Sequence, residues 1–215
     1  MKRNQSGFTL IEIAIVLVII GLLLGGVLKG QELINSAKVK NLAGDFKNIP
    51  VFIYGYQDKY KALPGDDSAA QTHLPAPGGS VVITNGDGSG VIDGAWNATT
   101  GESFQFWQQV RLAGFGPGAV DPASTDYVPK NAVGGIIGIT NAVANIPITG
   151  MKGTYVVCSN GIPGKFAKQL DITLDDGNPA SGSLMIGTVS TSGGAPIATT
   201  NLVLDDTTYL VCMGY

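Results

Sequence analysis

Gly7-Phe8-Thr9-Leu10-Ile11-Glu12, followed by Ile13 to Leu28 in which every residue is apolar or glycine, decides how this chain is built. As a helix at ~1.5 Å per residue, Phe8 to Leu28 would span ~31 Å, about the hydrocarbon core of a bilayer. The segment ahead of it, Met1-Lys2-Arg3-Asn4-Gln5-Ser6-Gly7, is short, polar and basic, and Lys2 and Arg3 would hold that end in the cytoplasm. A secretory signal also joins a basic flank to an apolar run. Here the run is longer than such a signal uses, no Ala-x-Ala site follows it, and a carboxylate sits near its start. A plain single-span anchor is the other alternative.

Beyond the apolar run, Leu33, Ile34, Ala37, Val39, Leu42, Phe46 and Ile49 recur at roughly helical spacing. The pattern predicts a helix from Thr9 to about Tyr60, kinked near Pro50 and ended before Leu63-Pro64-Gly65-Asp66-Asp67. Gly21, Gly25, Gly26 and Gly30 would be its weak points, each ~1 kcal/mol less favourable than Ala in a helix. The first half is apolar all round, and the second half has one apolar face that needs a head domain to cover it.

Glu12 is the anomaly in this helix. A carboxylate costs ~2.5–3.5 kcal/mol near a bilayer's centre, less towards its edge, and is kept only when something neutralises it. A cut between Gly7 and Phe8 would supply the neutraliser, since the new amino terminus at Phe8 is a cation that can pair with Glu12 of an adjacent subunit. The six residues Gly7 to Glu12 resemble the prepilin processing signature of type IV pilins and type II secretion pseudopilins. That resemblance implies a prepilin peptidase/methyltransferase that cuts after Gly7 and methylates the amine of Phe8, and a part for Glu12 in filament assembly. It also implies an inner-membrane assembly platform and other pilin subunits as partners. The precursor would sit in the bacterial inner membrane before assembly into an extracellular filament or a periplasmic pseudopilus. The chain departs from many pilins in having no proline midway along the helix. The expected organisation is a leader at 1–7, a long N-terminal helix at 8–61, of which 8–28 is the membrane and filament core, and a globular head at 62–215.

The last three-quarters of the chain are rich in Gly, Ser, Thr, Asn and Val with frequent turn signals, the texture of a secreted head built from short strands. Charged residues make up only 13% of the chain and the formal net charge is −3, with no basic stripe, so no specific nucleic acid partner is indicated. Strands are predicted at Val81–Thr84, Thr154–Cys158, Asp171–Leu174, Ser183–Val189, Asn201–Leu204 and Thr208–Met213. A helix is predicted over Glu102–Gly114, with Phe104, Trp107, Val110 and Leu112 as its buried positions. The fold class is α+β: a long N-terminal helix, transmembrane then amphipathic, packed on a head with an antiparallel sheet.

Cys158 and Cys212 are the chain's two cysteines. An even count in an exported chain favours a disulfide between them, the alternative being two buried free thiols. In type IV pilins a C-terminal disulfide encloses an exposed region, and these positions look similar. Asn85-x-Asp87-x-Ser89-Gly90-Val91-Ile92-Asp93 follows the first nine positions of an EF-hand-like calcium loop, with Asn85, Asp87, Ser89, the Val91 carbonyl and Asp93 as ligands. Trp96 stands where the loop's bidentate acid belongs, so Asp66, Asp67 or Glu102 would have to replace it. Related pseudopilins hold a structural calcium in a head loop, and a solvated hairpin loop is the alternative. His73, in Thr-His-Leu-Pro, is read as a surface loop residue, Trp96 and Trp107 as packing, and Asn97-Ala98-Thr99 as a chance sequon. A single histidine assembles no convincing hydrolase set, so an enzyme is not expected.

Three functions follow: a major or minor subunit of a type IV pilus, a type II secretion pseudopilin, and, from another class, a membrane-anchored binding protein.

Overall fold

In the computed structural model, which describes residues 7, 9–76, 78–79, 81–188, 193–198 and 204–215, the chain divides into two compact units, Met1–Lys38 and Val39–Tyr215. Helix α1, Leu10–Tyr60, begins in the first and ends in the second. In the first unit every residue from Leu10 to Lys29 is exposed.

In the second unit α1 buries one face. Val39, Leu42, Ala43, Phe46, Ile49 and Ile53 follow one another at steps of one helical turn and enter the main core. Pro50 lies inside the helix, which continues through it to Tyr60. Proline has no N–H to give the carbonyl four residues back. That carbonyl belongs to Phe46, and the Tyr215 hydroxyl donates to it instead.

After α1 come a single turn, α2 (Ala70–His73), then α3 (Glu102–Leu112), β1 (Ile137–Asn141), β2 (Tyr155–Pro163), α4 (Gly164–Leu174), β3 (Leu184–Gly187) and β4 (Thr208–Gly214). The four strands form one antiparallel sheet in the order β1-β2-β4-β3. Alternation along each strand sorts its side chains between two cores. Tyr155 and Val157, Leu184 and Ile186, and Tyr209 and Val211 join the α1 face. Val156 and Cys158, Met185, and Leu210 and Cys212 face a second cluster with Trp96, Ile148 and Met151. Both faces of the sheet are therefore covered, and the start of β2 (Tyr155–Cys158) and the middle of β4 (Tyr209–Met213) read as unbroken apolar runs.

Cys158 and Cys212 are joined in a disulfide between directly paired positions of the two central strands, with Cα atoms 4.1 Å apart and both residues fully buried. The bond staples the middle of the sheet over a separation of 54 residues. Constraint of the unfolded chain over such a loop is worth ~4 kcal/mol on the chain-entropy account.

The α+β class, β3, β4, most of α3 and the start of β2 agree with the sequence reading. Three expectations are corrected and one strand is added. Asp171–Leu174 is the last turn of α4: Phe166, Ala167 and Leu170 are buried at helical spacing, and this outweighs the strand propensity of Ile172 and Thr173. Val81–Thr84 is extended but pairs with no strand. Its carbonyls are taken by side-chain amides, Val82 by Gln108, Thr84 by Gln109 and Ile83 by Gln71. In α3, Phe106 is fully buried beside Trp107 and Val110, whereas Phe104 and Leu112 are only partly so. Strand β1 is the addition: in Gly-Gly-Ile-Ile-Gly-Ile-Thr-Asn, residues 134–141, the glycines mask its alternation. Residues 189 and 201–203 of two predicted strands lie outside the described residues, and Leu204 is in no strand.

The Pro50–Phe46–Tyr215 arrangement gives a quantitative test. Tyr215→Phe leaves the Phe46 carbonyl without its donor and should cost ~1–3 kcal/mol in urea unfolding of the detergent-solubilised chain. In a Pro50→Ala background the restored N–H serves that carbonyl, so the same change should cost clearly less. Equal losses in the two backgrounds would refute the compensation.

Candidate functional site

The start of α1 is fixed by a reciprocal cap. Thr9 Oγ1 accepts from the Glu12 N–H at 3.3 Å, while the Thr9 N–H and hydroxyl donate to Glu12 Oε2 at 2.8 and 2.7 Å. Thr9-Leu10-Ile11-Glu12 is thus a capping box, and its Thr-x-x-Glu signal stands in the sequence. The acid also lies at the positive end of the helix dipole. Gly7 is exposed, with nothing within 4 Å of where a Cβ would be. Phe8 lies outside the described residues. Glu12 is the one charged residue from Thr9 to Leu28, in a helix long and apolar enough to cross a membrane.

In the second unit the acidic loop is organised around Asp66, which is almost fully buried. Asp66 accepts from the backbone N–H groups of Ser89 (2.9 Å) and Gly90 (2.8 Å). Glu102, at the start of α3, accepts from the N–H of Asp87 and of Asp93, both at 2.9 Å. Gly86 permits the fold of this loop, since a Cβ there would collide with the Asp66 backbone. Asp66, Asp87 and Glu102 each offer an oxygen within 4.8 Å of the others. Burial first, then the charges of Asp66 and Asp87, pushes the Glu102 carboxyl above its ordinary range, against the pull of the Asp93 and Asp87 amides. Burial also raises Asp66, while the Ser89 amide lowers the exposed Asp87.

Of the five loop residues singled out in the sequence, Asp87 belongs to this cluster, and the Ser89 hydroxyl lies beside it, 3.5 Å from Asp66 Oδ1. The Val91 carbonyl accepts from that same hydroxyl. Asn85 and Asp93 are engaged elsewhere: Asn85 Oδ1 accepts from the Gln71 N–H and Asp93 Oδ1 from Asn141 Nδ2. The cluster draws its other two acids from Asp66 and Glu102, two of the three residues that the sequence offered for the loop's missing acid.

His73 is half-buried. Its Nδ1 lies 2.7 Å from Asp67 Oδ2, which also accepts from the Tyr56 hydroxyl at 2.7 Å, and its ring stacks on Tyr60. Burial alone would raise the Asp67 carboxyl. The His73, Tyr56 and Ala69 hydrogen bonds outweigh it and hold the group below its ordinary range. This triad ties the end of α1 to α2.

Residues 2–28 match the family model described as the prokaryotic N-terminal methylation motif, the signature of type IV pilins and pseudopilins. No curated protein and no solved structure matches the chain. The N-terminus is thus pilin- or pseudopilin-like. The motif implies in general terms processing by a prepilin peptidase and assembly with other pilin subunits. Together with the exposed apolar helix it fits a membrane-anchored precursor. The signature marks structural pilin-type proteins and not enzymes.

The Asp67 triad predicts an acid-dependent stability. The folded-state carboxyl lies below the unfolded value of ~3.9, so its contribution is complete above that pH and is lost as pH falls through the folded value. Asp67→Asn should cost ~2–3 kcal/mol at pH 7. The gap to wild type should close below pH ~4. A gap unchanged from pH 7 to pH 2 in denaturant titrations would contradict the assignment.

Proposed function

We propose that this chain is a structural subunit of a type IV pilus, cut after Gly7 and assembled through its N-terminal helix. The supporting observation is the helix itself: an apolar surface exposed from Leu10 to Lys29 with one carboxylate, Glu12, in its first turn. In this reading residues 1–7 are the leader, 8–61 the assembly helix and 62–215 the head. The peptidase methylates the Phe8 amine, and the assembly platform of the inner membrane adds the subunit to an extracellular filament.

Glu12 supplies the assembly register. Both bonds from Thr9 fall on Oε2, and a carboxylate accepts through both oxygens. It can therefore keep its cap and still accept from the cationic Phe8 amine of a neighbouring subunit. Pairing relieves the cost of an apolar environment and is possible only at one axial offset, so the charge selects register as well as adding attraction.

The same proposal places a structural calcium in the acidic loop, held by Asp66, Asp87 and Glu102. Three crowded carboxylates, one of them almost fully buried, suit a hard cation that takes oxygen ligands. Equilibrium dialysis of the detergent-solubilised chain should show one calcium fewer per chain in Asp87→Ala than in wild type. Unchanged stoichiometry would remove calcium from this loop.

The assembly mechanism is tested on Glu12 and Phe8 together. Mass spectrometry of filament protein should find N-methylated Phe8 as the first residue; intact Met1 would defeat the processing step. Glu12→Leu should be cleaved and retained in the membrane but enter filaments poorly when expressed without wild type. Glu12→Gln keeps a capping group and loses only the charge, so it should be intermediate at best. Normal incorporation of Glu12→Leu would defeat the pairing.

A further inference from the structure

The end of α4 gathers acids where a helix favours bases. The C-terminal turn of a helix carries partial negative charge. Yet α4 has no basic residue in its last turn, which contains Asp171, and Asp175 caps it with Asp176 following. The three carboxylates each offer an oxygen within 4.8 Å of the others. Asp171 is 1% exposed, and among the described residues neither of its carboxylate oxygens makes a well-formed hydrogen bond; the pull of the nearby Gly177 N–H is outweighed by burial and by the charges of Asp176 and Asp175. The ion pairs among the described residues lie elsewhere.

We propose that Asp171, Asp175 and Asp176 form a second binding site, for a hard divalent cation of the calcium class, at the junction of α4 and β3. A proton on Asp171 would answer its burial, but it would not explain why two further carboxylates are brought alongside it at the negative end of a helix. A cation answers both. Oxygens that share one calcium, each ~2.4 Å from it, stand no more than ~4.8 Å apart, a bound that these three groups meet.

The loop after α4 is built to aim the other two acids. Asp175 Oδ2 accepts from the Leu184 N–H at 2.8 Å. Asp176 accepts from the Asn178 N–H at 2.8 Å and the Ser181 hydroxyl at 3.1 Å. Donors of this kind fix the orientation of ligating carboxylates and raise the affinity of a metal site. Gly182 lets the loop close over Asp175, since a Cβ there would collide with Oδ2. The ion would therefore fasten the C-terminus of α4 to the first residue of β3. The site is independent of the filament reading and shares no residue with the Asp66–Asp87–Glu102 loop.

The test uses the full chain in detergent micelles, stripped with a chelator, in an Asp87→Ala background that disables the other loop. Equilibrium dialysis should find one calcium per chain, and millimolar calcium should raise the melting temperature. Asp171→Asn in that background should weaken calcium binding at least ~10-fold, the loss that even an outer-shell substitution can cause. It should also raise the melting temperature in chelator, since an unpaired buried charge has been removed. Asp176→Asn, on the exposed side, should weaken calcium binding without that gain, and it serves if Asp171→Asn fails to fold. Absence of calcium binding in the Asp87→Ala protein, even with Asp171→Asn more stable in chelator, would overturn the site. Undiminished binding in either variant would overturn it equally.

Discussion

A charged carboxylate in an apolar helix needs a partner, and the rest of the N-terminal unit is arranged around that requirement at Glu12. The capping box with Thr9 meets part of it within the chain. The acid closes two open backbone and side-chain donors of the first turn and stands at the positive end of the dipole. The helix therefore starts at a defined residue whether or not a second molecule is present. From there to Lys29 no side chain is covered by its own chain. Such a surface is stable only in lipid or against other apolar helices, and the methylation motif that spans it belongs to proteins that use both.

The second unit solves a different problem, how to cover a sheet on two sides. Strands β2 and β4 are central and send alternate residues to two cores, so α1 can occupy one face while the region of Trp96, Ile148 and Met151 fills the other. The disulfide lies on the latter face, between paired cysteines. It fastens the two strands that all other sheet contacts depend on. Proline within α1 is tolerated for a related reason: the C-terminal strand delivers Tyr215 to the carbonyl that Pro50 cannot serve. A defect in one element is repaired by another distant in sequence, and that repair ties the helix to the end of the sheet.

The parts legible in the sequence were those with one dominant local signal. Unbroken hydrocarbon marked α1, apolar runs bounded by turns marked β3 and β4, and two cysteines in candidate strands marked the disulfide. The parts that misled depend on tertiary partners. Ile172 and Thr173 look like strand residues, yet the buried face of Phe166, Ala167 and Leu170 decides for helix. Val81–Thr84 looks like a strand, yet buried glutamines of α3 take the carbonyls that a neighbouring strand would have taken. At the acidic loop the spacing of Asn85 to Asp93 marked the loop itself. The sequence also offered Asp66, Asp67 or Glu102 for the missing acid; that Asp66 and Glu102 meet the loop while Asp67 pairs with His73 and Tyr56 is set by contacts across the fold. Thr9-x-x-Glu12, by contrast, is a local pattern, legible as a cap from the sequence alone.

Those glutamines belong to a wider pattern that explains why a chain so rich in Gly, Ser, Asn and Asp folds with so short a sheet. Loop backbone that lacks a ladder must find other partners when buried. Here side chains supply them. Asp66 takes the amides of Ser89 and Gly90, Glu102 those of Asp87 and Asp93, Asn131 those of Val133 and Gly135, and Asn141 those of Val143 and Ala144. Asn131 and Asn141 reach amides two to four residues ahead, as short polar side chains do at little entropic cost, whereas Asp66 and Glu102 reach amides brought near by the fold. The acids among them carry a consequence that the amides do not. A carboxylate placed to collect N–H groups is also placed to be crowded by another carboxylate, as Asp66 is by Asp87 and Glu102. In this head the side chains that hold the loops are therefore also the ones whose charges are brought together.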